Sequence, residues 1–273
     1  DDDDDDSGSD PQVMSRAVSA PPHYTSQAAF YQVDVVGEAP AQLIQTATVE
    51  QSGCSRWFEE RRKRVTATMC KAIVRRRTDD FQSVVRQKLC GEFRGNLATR
   101  YGTRSEPLAI KQYLGKKKAE SPNFSFARSG LIVSLKTPWL ATSPDGILSD
   151  PTAGRGVLEV KCPYSCRSVS LSDAAQKKSF FLNHDGAELS LKQSHQYHFQ
   201  VQFQLLVTEC EWADFVVWTP QEMFIQRLKR EEQFAERYLG KLESFYFKHL
   251  LPALFIETGC VQPENAILDD LDT

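Results

Sequence analysis

Hydrophobic positions change their spacing twice along the chain. Between residues 55 and 117 they recur three and four apart, the helical interval. "SRWFEERRKR" reads as a short helix anchored by Trp57 and Phe58. "TATMCKAIVRR" reads as a second helix, with Thr66 as its N-cap and Met69, Ile73 and Val74 as its apolar stripe. A third helix is predicted over 79–90. "LATRYGTRSEPLAIKQYLGKK" reads as a long fourth, with Leu97, Tyr101, Leu108 and Tyr113 as core candidates and Pro107 at an early turn or kink. From Asn123 the pattern turns aromatic and β-branched. "FSFARSGLIVSLKTPWLATSPDGIL" predicts two or three antiparallel strands, and "GVLEVKCPY" the next strand. The helical interval returns in "SHQYHFQVQFQLLVTEC", with Tyr197, Val201, Leu205 and Thr208 near one face. Two strands, "EWADFVVWTP" and "EMFIQRLKR", precede a long amphipathic helix, "EEQFAERYLGKLESFYFKHLLPALF". This order predicts an α/β (α+β) core, a central mixed β-sheet flanked by helices.

The first fifty residues lack any such period. "DDDDDD", "SAPPHY" and "GEAPAQ" have the composition of a tail, disordered or loosely docked, and "ENAILDDLDT" reads the same way. The predicted organisation is an acidic tail over 1–50, one domain over 51–260 and a short tail over 261–273. The chain holds 273 residues, enough for a sizeable core, and its 41% hydrophobic and 25% charged content is ordinary for a globular protein. The formal net charge is −3, but the opening aspartates account for it, and without them the remainder is +3. The stretch 56–77 is strongly basic: Arg56, Arg61, Arg62, Lys63, Arg64, Lys71, Arg75, Arg76 and Arg77 stand against Glu59 and Glu60. Such a patch fits a nucleic-acid backbone or, more plainly, a solvated helix face. "GKKK" at 115–118 either adds to it or ends a helix.

Seven cysteines, an odd number with no Cys-x-x-Cys pair, read as reduced thiols of an intracellular protein. No histidine accompanies Cys162 and Cys166 to complete a zinc set. No apolar run has the length of a membrane span, and no signal-peptide pattern is present. The expected compartment is intracellular, nuclear in a eukaryote. The absent initiator Met reads as a fragment with further domains upstream.

The chemistry concentrates in "TSPDGILSDPTAGRGVLEVKCPYS". Glu159 and Lys161 stand one residue apart on a predicted strand and so share a face. Val157, Leu158 and Val160 make that strand partly or fully buried, where charges are costly unless paired or bound to a metal. Asp145 sits in "SPDG", where Gly146 permits a turn. The excursion from Asp145 to Glu159 has the scale of a hairpin return that brings the two carboxylates together as oxygen ligands for a hard divalent ion. Lys161 would then neutralise charge or activate a water beside them. The plain alternative is a surface hairpin with an ordinary Glu–Lys pair.

"SPDG" followed by "LEVKCPYS" resembles the PD-(D/E)XK nuclease superfamily, and more narrowly its lambda exonuclease and YqaJ-type viral recombinase branch. "WFEERRKRVTAT" resembles that branch's N-terminal signature, "YGTRSEPLA" its acidic helix, and "QYHFQVQFQLLVT" its Tyr-x-x-Gln-x-Gln helix. The four motifs occur in the family's order over about 55–220. The resemblance implies a restriction-endonuclease-like core. It implies Asp145 and Glu159 as metal-binding carboxylates, the Val160 carbonyl as a further ligand, and Glu106 as a helix acid helping directly or through water. Lys161 would be the catalytic lysine, and Gln200 would hold it or the attacking water. Arg61, Thr66 and Thr68 match a pocket for a terminal 5′-phosphate, with Ser143 and Tyr197 as further substrate contacts. Arg61 suits a bidentate phosphate clamp, and Thr66 a helix N-terminus that attracts anions. Glu106 and Gln200 read alone as an exposed helix acid and a core-edge amide, and Arg61 and Thr66 as a surface charge and a cap.

The implied activity is a Mg²⁺-dependent deoxyribonuclease, with Mn²⁺ able to substitute. Its implied form is a 5′-to-3′ exonuclease on linear double-stranded DNA ends, serving recombination or repair. A structure-specific endonuclease of the same fold and a catalytically silent, domesticated DNA-binding module are the alternatives. The implied partner is DNA with a 5′-phosphate, not a membrane, and the resemblance implies a trimeric ring as the oligomer. The four-cysteine iron–sulfur cluster of some RecB-like relatives has no counterpart in this sequence.

Overall fold

A computed structural model describes residues 25–37, 41–91, 95–186 and 188–259. The N-terminal half is helical. Helix α1 (Gln27–Phe30) runs on as a π turn (Tyr31–Val36), and α2 (Ala41–Ala47) and α3 (Ser55–Arg62) follow. A two-residue strand, β1 (Val65–Thr66), leads through a 3-10 turn (Ala67–Met69) into α4 (Cys70–Val74). Then come α5 (Gln82–Cys90) and the long α6 (Leu97–Glu120). Four short strands, β2 (Ser125–Ala127), β3 (Ile132–Val133), β4 (Leu140–Thr142) and β5 (Gly146–Asp150), precede the longest, β6 (Gly154–Lys161). After it come α7 (Leu171–Ala175), a hairpin of β7 (Leu182–Asp185) and β8 (Glu188–Leu191), and α8 (Gln196–Thr208). The last elements are β9 (Trp212–Trp218), β10 (Met223–Lys229), α9 (Glu232–Phe245) and α10 (Leu251–Glu257).

The main sheet has the order β10-β9-β6-β5-β2. It is mixed: β6 and β9 run parallel and the other pairs antiparallel. A second sheet, β1-β4-β3, joins β1 to β4 in parallel. Both faces of the main sheet are covered, which is why β9 is buried along its whole length. Alternation sorts its side chains. Ala213, Phe215 and Val217 meet Val157, Val201 and Leu205 on the α8 side. Trp212, Val216 and Trp218 meet Leu148, Leu158, Ile110 and Tyr113 on the α6 side. A mixed sheet flanked by helices is therefore observed as expected.

Several local expectations change. In α6, Leu97 and Leu108 are 68% and 47% exposed, whereas Ala109, Ile110 and Tyr113 are buried. The stripe that faces the sheet passes through Ile110 and Tyr113, and Leu108 points away from it. Pro107 lies in the helix interior. Of the segment expected as a tail, the described residues include Phe30, Val35 and Ile44, which are buried. Phe30 and Val35 join a cluster with α4, α9 and α10, where their apolar area leaves water. What the sequence predicts for residues 1–24, 38–40 and 260–273 lies outside the described residues. The C-terminal helix forms as expected but contains a π turn (Tyr246–Leu250) just before Pro252, whose missing N–H and ring cannot continue a regular ladder. Thr66 occupies the N-cap position of the 3-10 turn, but its side chain makes no capping bond.

Candidate active site

The site forms where β5 begins and β6 ends. Gly146 is the first residue of β5 and pairs with Leu158. Its φ is not positive, contrary to the expected turn role. A Cβ there would lie 2.0 Å from the Phe126 ring, so glycine is required by close packing rather than by a turn. The stretch after it forms the expected hairpin return. Residues 146–150 pair with 154–158, and only 151–153 form the turn. Leu148 is buried in the core.

Beyond Leu158 the edge of β6 that faces β5 has no strand beside it, while β9 still pairs with the other edge, and Asp145 fills the open space. The Asp145 N–H donates to the Leu158 carbonyl at 3.1 Å. The Val160 N–H donates to Asp145 Oδ2 at 2.6 Å. The N–H and carbonyl of one strand residue point to the same edge, so the Val160 carbonyl also faces the Asp145 side.

Glu159 points to the opposite face, with Val157 and Lys161, and meets α8. It is only 3% exposed. Gln200 Nε2 donates to its Oε1 at 2.6 Å and Gln204 Nε2 to its Oε2 at 2.7 Å. The two glutamines are four apart on one helix and so share a face. Lys161 Nζ pairs with Glu159 Oε1 and lies 4.5 Å from the centre of the Tyr197 ring. Gln204 was not among the expected site residues. Its signal was the four-residue spacing from Gln200 on a helix buried almost all round, where an amide needs a partner.

Three acids repel one another here. Burial, then Glu159 and Glu106, holds the Asp145 carboxyl well above the usual carboxylate range, against Lys161 and the Val160 N–H. Burial and Glu159 likewise raise Glu106 on α6, opposed by Arg128 and Lys161. Burial favours the neutral form of Lys161, but Glu159, Tyr197 and Asp145 outweigh it and raise its pKa. The ammonium therefore stays protonated and serves as a donor and a cation. Burial, with Glu106 and Asp145, pushes the adjacent Cys162 thiol up to about 12, so it carries no thiolate at neutral pH.

Among the described residues, no three His, Cys, Asp or Glu side chains cluster closely enough to hold an ion by themselves. A Mg²⁺ ion needs fewer: it keeps several waters and takes one or two carboxylates. Two carboxylates, one carbonyl edge and an excess of mutually repelling acid match that requirement.

A second set of expected residues gathers next to Asp145. Trp57 Nε1 donates to Ser143 Oγ at 2.8 Å. Arg61 reaches the same oxygen at 3.5 Å, and its guanidinium stacks on Trp57 at 4.2 Å. Arg61 has no carboxylate partner among the described residues. Burial lowers its pKa to about 10, which leaves it charged at neutral pH. Thr66 pairs with Ala141, two residues before Ser143. Its side chain is buried, and its hydroxyl faces that of Thr68 at 3.5 Å, while Thr68 is exposed. Gln51, which the sequence placed at a tail boundary, has a left-handed backbone (φ 45) and donates to the Ser129 and Pro144 carbonyls at 2.8 and 3.1 Å. That strained residue pins the turn carrying Asp145.

The basic stretch divides. Arg64 is 1% exposed and binds the Pro138, Glu60 and Val35 carbonyls and the Glu60 carboxylate. Arg62 pairs with Glu257, and Lys63 lies near Asp34 and Glu60. These three hold the fold together and do not present a free cationic face.

A family model for the YqaJ-like viral recombinase domain matches residues 56–211, more than half of the chain. No curated protein sequence matches. Among solved structures, the alkaline exonuclease LHK-Exo from Laribacter hongkongensis superposes with a TM-score of 0.54 at 23% identity, covering 74% of this chain and 95% of its own. Its complex with dAMP matches with the same TM-score and identity, covering 74% of this chain and 94% of its own. The shutoff and exonuclease protein of Kaposi's sarcoma-associated herpesvirus has a TM-score of 0.50 at 10% identity, with 85% and 81% covered. These likenesses place the chain in the same fold.

Proposed function

Because the chain belongs to the YqaJ-like viral recombinase domain family, we propose that it is a divalent-metal-dependent deoxyribonuclease. More narrowly, it is an exonuclease that digests one strand of a linear duplex from a 5′-phosphorylated end. One observation carries this reading: Asp145, Glu159, Lys161 and Gln200 converge at the open end of β6, directly beside the unpaired Arg61 and Ser143. The Laribacter protein is an exonuclease crystallised with a mononucleotide, the product class that digestion from an end releases.

Asp145, Glu159 and the Val160 carbonyl would hold Mg²⁺ or Mn²⁺, with Glu106 acting through water. Such an ion, when bound, acidifies a water and neutralises charge on the phosphate. The chain's own groups do the rest. Gln200 and Gln204 orient the Glu159 carboxylate. Lys161, kept protonated, donates to the attacking water or to a phosphate oxygen as charge develops. Arg61, Ser143 and Thr68 hold the terminal 5′-phosphate, with Thr66 supporting Thr68 from below. The attacking water gives a proton to solvent as its oxygen bonds phosphorus, the bond to the leaving 3′-oxygen breaks, and that oxygen takes a proton from solvent. The shortened strand again begins with a 5′-phosphate, ready for the same pocket.

The test compares end-labelled linear duplex with closed circular DNA, in Mg²⁺ and in EDTA. Release of mononucleotides from linear ends, in Mg²⁺ only, is expected. Cutting of the circle would replace this reading with an endonuclease, and intact binding without cleavage in any metal with a silent module. Arg61→Ala should erase the preference for 5′-phosphate over 5′-hydroxyl ends, and an unchanged preference removes its assigned role.

A further inference from the structure

Two adjoining hollows lie outside the site, about 450 and 730 Å³ in volume, and share Gln193, Ser194 and His198. One wall of the first is α4 with Lys71 and Arg75, and the other is α9 with Arg237. The second runs on past Lys178 and Lys192. Glu231 also borders the first hollow, but His198 Nε2 engages its carboxylate at 2.7 Å. Lys192 is tied to the Lys178 and Phe180 carbonyls. Lys71 and Arg75 have no carboxylate partner among the described residues. They are unneutralised cations on the wall of a groove.

Both ends of this wall connect to the candidate active site. Thr68, Lys71 and Arg75 lie three and four residues apart along the 3-10 turn and α4, which places them on one face. That row starts in the 5′-phosphate pocket and leads into the groove. On the other side, Ser194 precedes His195, whose ring packs against Tyr197 at 4.7 Å, and Tyr197 carries Lys161 on its face. Burial, then Lys71, Lys192 and Lys161, lowers the His195 pKa, so all three lysines bear on this ring. A face that leaves the phosphate pocket at Thr68 and carries Lys71 and Arg75 into a polar groove has the layout of a backbone track.

We propose that this groove binds the phosphodiester backbone of a single nucleic-acid strand next to the reacting phosphate, with Lys71 and Arg75 each contacting a phosphate. Its place in the reaction rests on the nuclease reading above, but the binding itself does not. The contacts are charge contacts, so they make binding salt-dependent without reading sequence.

The experiment measures binding of a fluorescent, 5′-phosphorylated single-stranded oligonucleotide by anisotropy, in EDTA, over a series of KCl concentrations. Lys71→Ala/Arg75→Ala is expected to weaken binding at least tenfold at low salt. It should flatten the slope of log K against log salt by about 1.4, two single-strand contacts. Lys116→Ala/Lys118→Ala removes the same charge from exposed positions at the far end of α6 and should leave the slope unchanged. An unchanged slope in the first variant, or an equal loss in the second, overturns the track. Cleavage of linear duplex by the wild type is scored separately. A flattened slope with an inactive wild type supports the track and overturns the nuclease reading. An active wild type with an unchanged slope does the reverse.

Discussion

Glu159 accepts hydrogen bonds on both carboxylate oxygens, from Gln200 and Lys161 on one and from Gln204 on the other. A hydrogen bond to a charged group contributes about 1.5–3 kcal/mol, so a lost orienting bond translates into roughly 10–100-fold in rate. Gln204→Leu is therefore expected to lower kcat by that factor while leaving KM for DNA near the wild-type value. Steady-state kinetics on a linear duplex checks it, and a change confined to KM would count against an orienting role. Asp145 is the opposite case. Its folded-state pKa lies above its unfolded value, so the ionised carboxylate destabilises the fold at neutral pH and protonation stabilises it. Asp145→Asn keeps an acceptor for the Val160 N–H and removes the repulsion. It should abolish cleavage and, without metal, raise Tm by a few degrees, since 1 kcal/mol is about 2–4 °C in a chain of this size. A lower Tm in a metal-free melt would contradict the charge argument. The three motif residues Asp145, Glu159 and Lys161 were legible because the two-residue strand period puts the last two on one face. Gln204 was less so, because an amide in a helix has no chemistry until its partner is known.

At the level of elements, α3 and its exit carry two arginines with opposite duties. Arg61 stacks on Trp57 and faces Ser143, while Arg64 is buried among three carbonyls and the Glu60 carboxylate. In sequence they belong to the same basic run. Breaking a buried pair by removing one partner costs about 3–5 kcal/mol. Arg64→Ala should therefore destabilise by that amount in urea melts. Arg61→Ala, which breaks no ion pair, should melt close to wild type. Equal stabilities would mean that Arg64 is not a structural arginine. The same contrast explains α6. Its helical pattern was legible, but its buried face was not, because Leu97 and Leu108 look as good as Tyr113 until the sheet is in place. The short elements α7, β7 and β8 left almost no periodicity, since four or five residues cannot express a period.

Across the whole molecule the main sheet is tied together at the end remote from the site. Arg227 on β10 bonds Asp214 on β9 and Asp150 on β5, stacks on Trp212 at 3.7 Å, and leaves Asp214 to accept from Tyr113 of α6 at 2.6 Å. The N–H and hydroxyl of Thr152, with Ala153 and Arg227, depress the Asp150 carboxyl below its ordinary 3.8. A depressed carboxylate contributes stability above its unfolded pKa and loses it as pH falls through the folded value. Asp150→Asn should therefore melt lower than wild type at pH 7, with the gap closing as pH drops below about 4. A gap independent of pH would assign the loss to packing instead.

The order of the longer elements from α3 onward, the sheet-and-helix class and the four motifs follow from the sequence alone. Each depends on residues near one another in the chain, where a period of two or 3.6 already decides which side chains share a face. Which cations stay free, which acid each glutamine serves, and which side of α6 is covered depend on contacts between distant segments. Lys71 and Arg64 carry the same charge seven residues apart. Only tertiary packing separates them: the carbonyls of Val35, Glu60 and Pro138 and the Glu60 carboxylate enclose Arg64, whereas Lys71 borders a groove and has no carboxylate partner among the described residues.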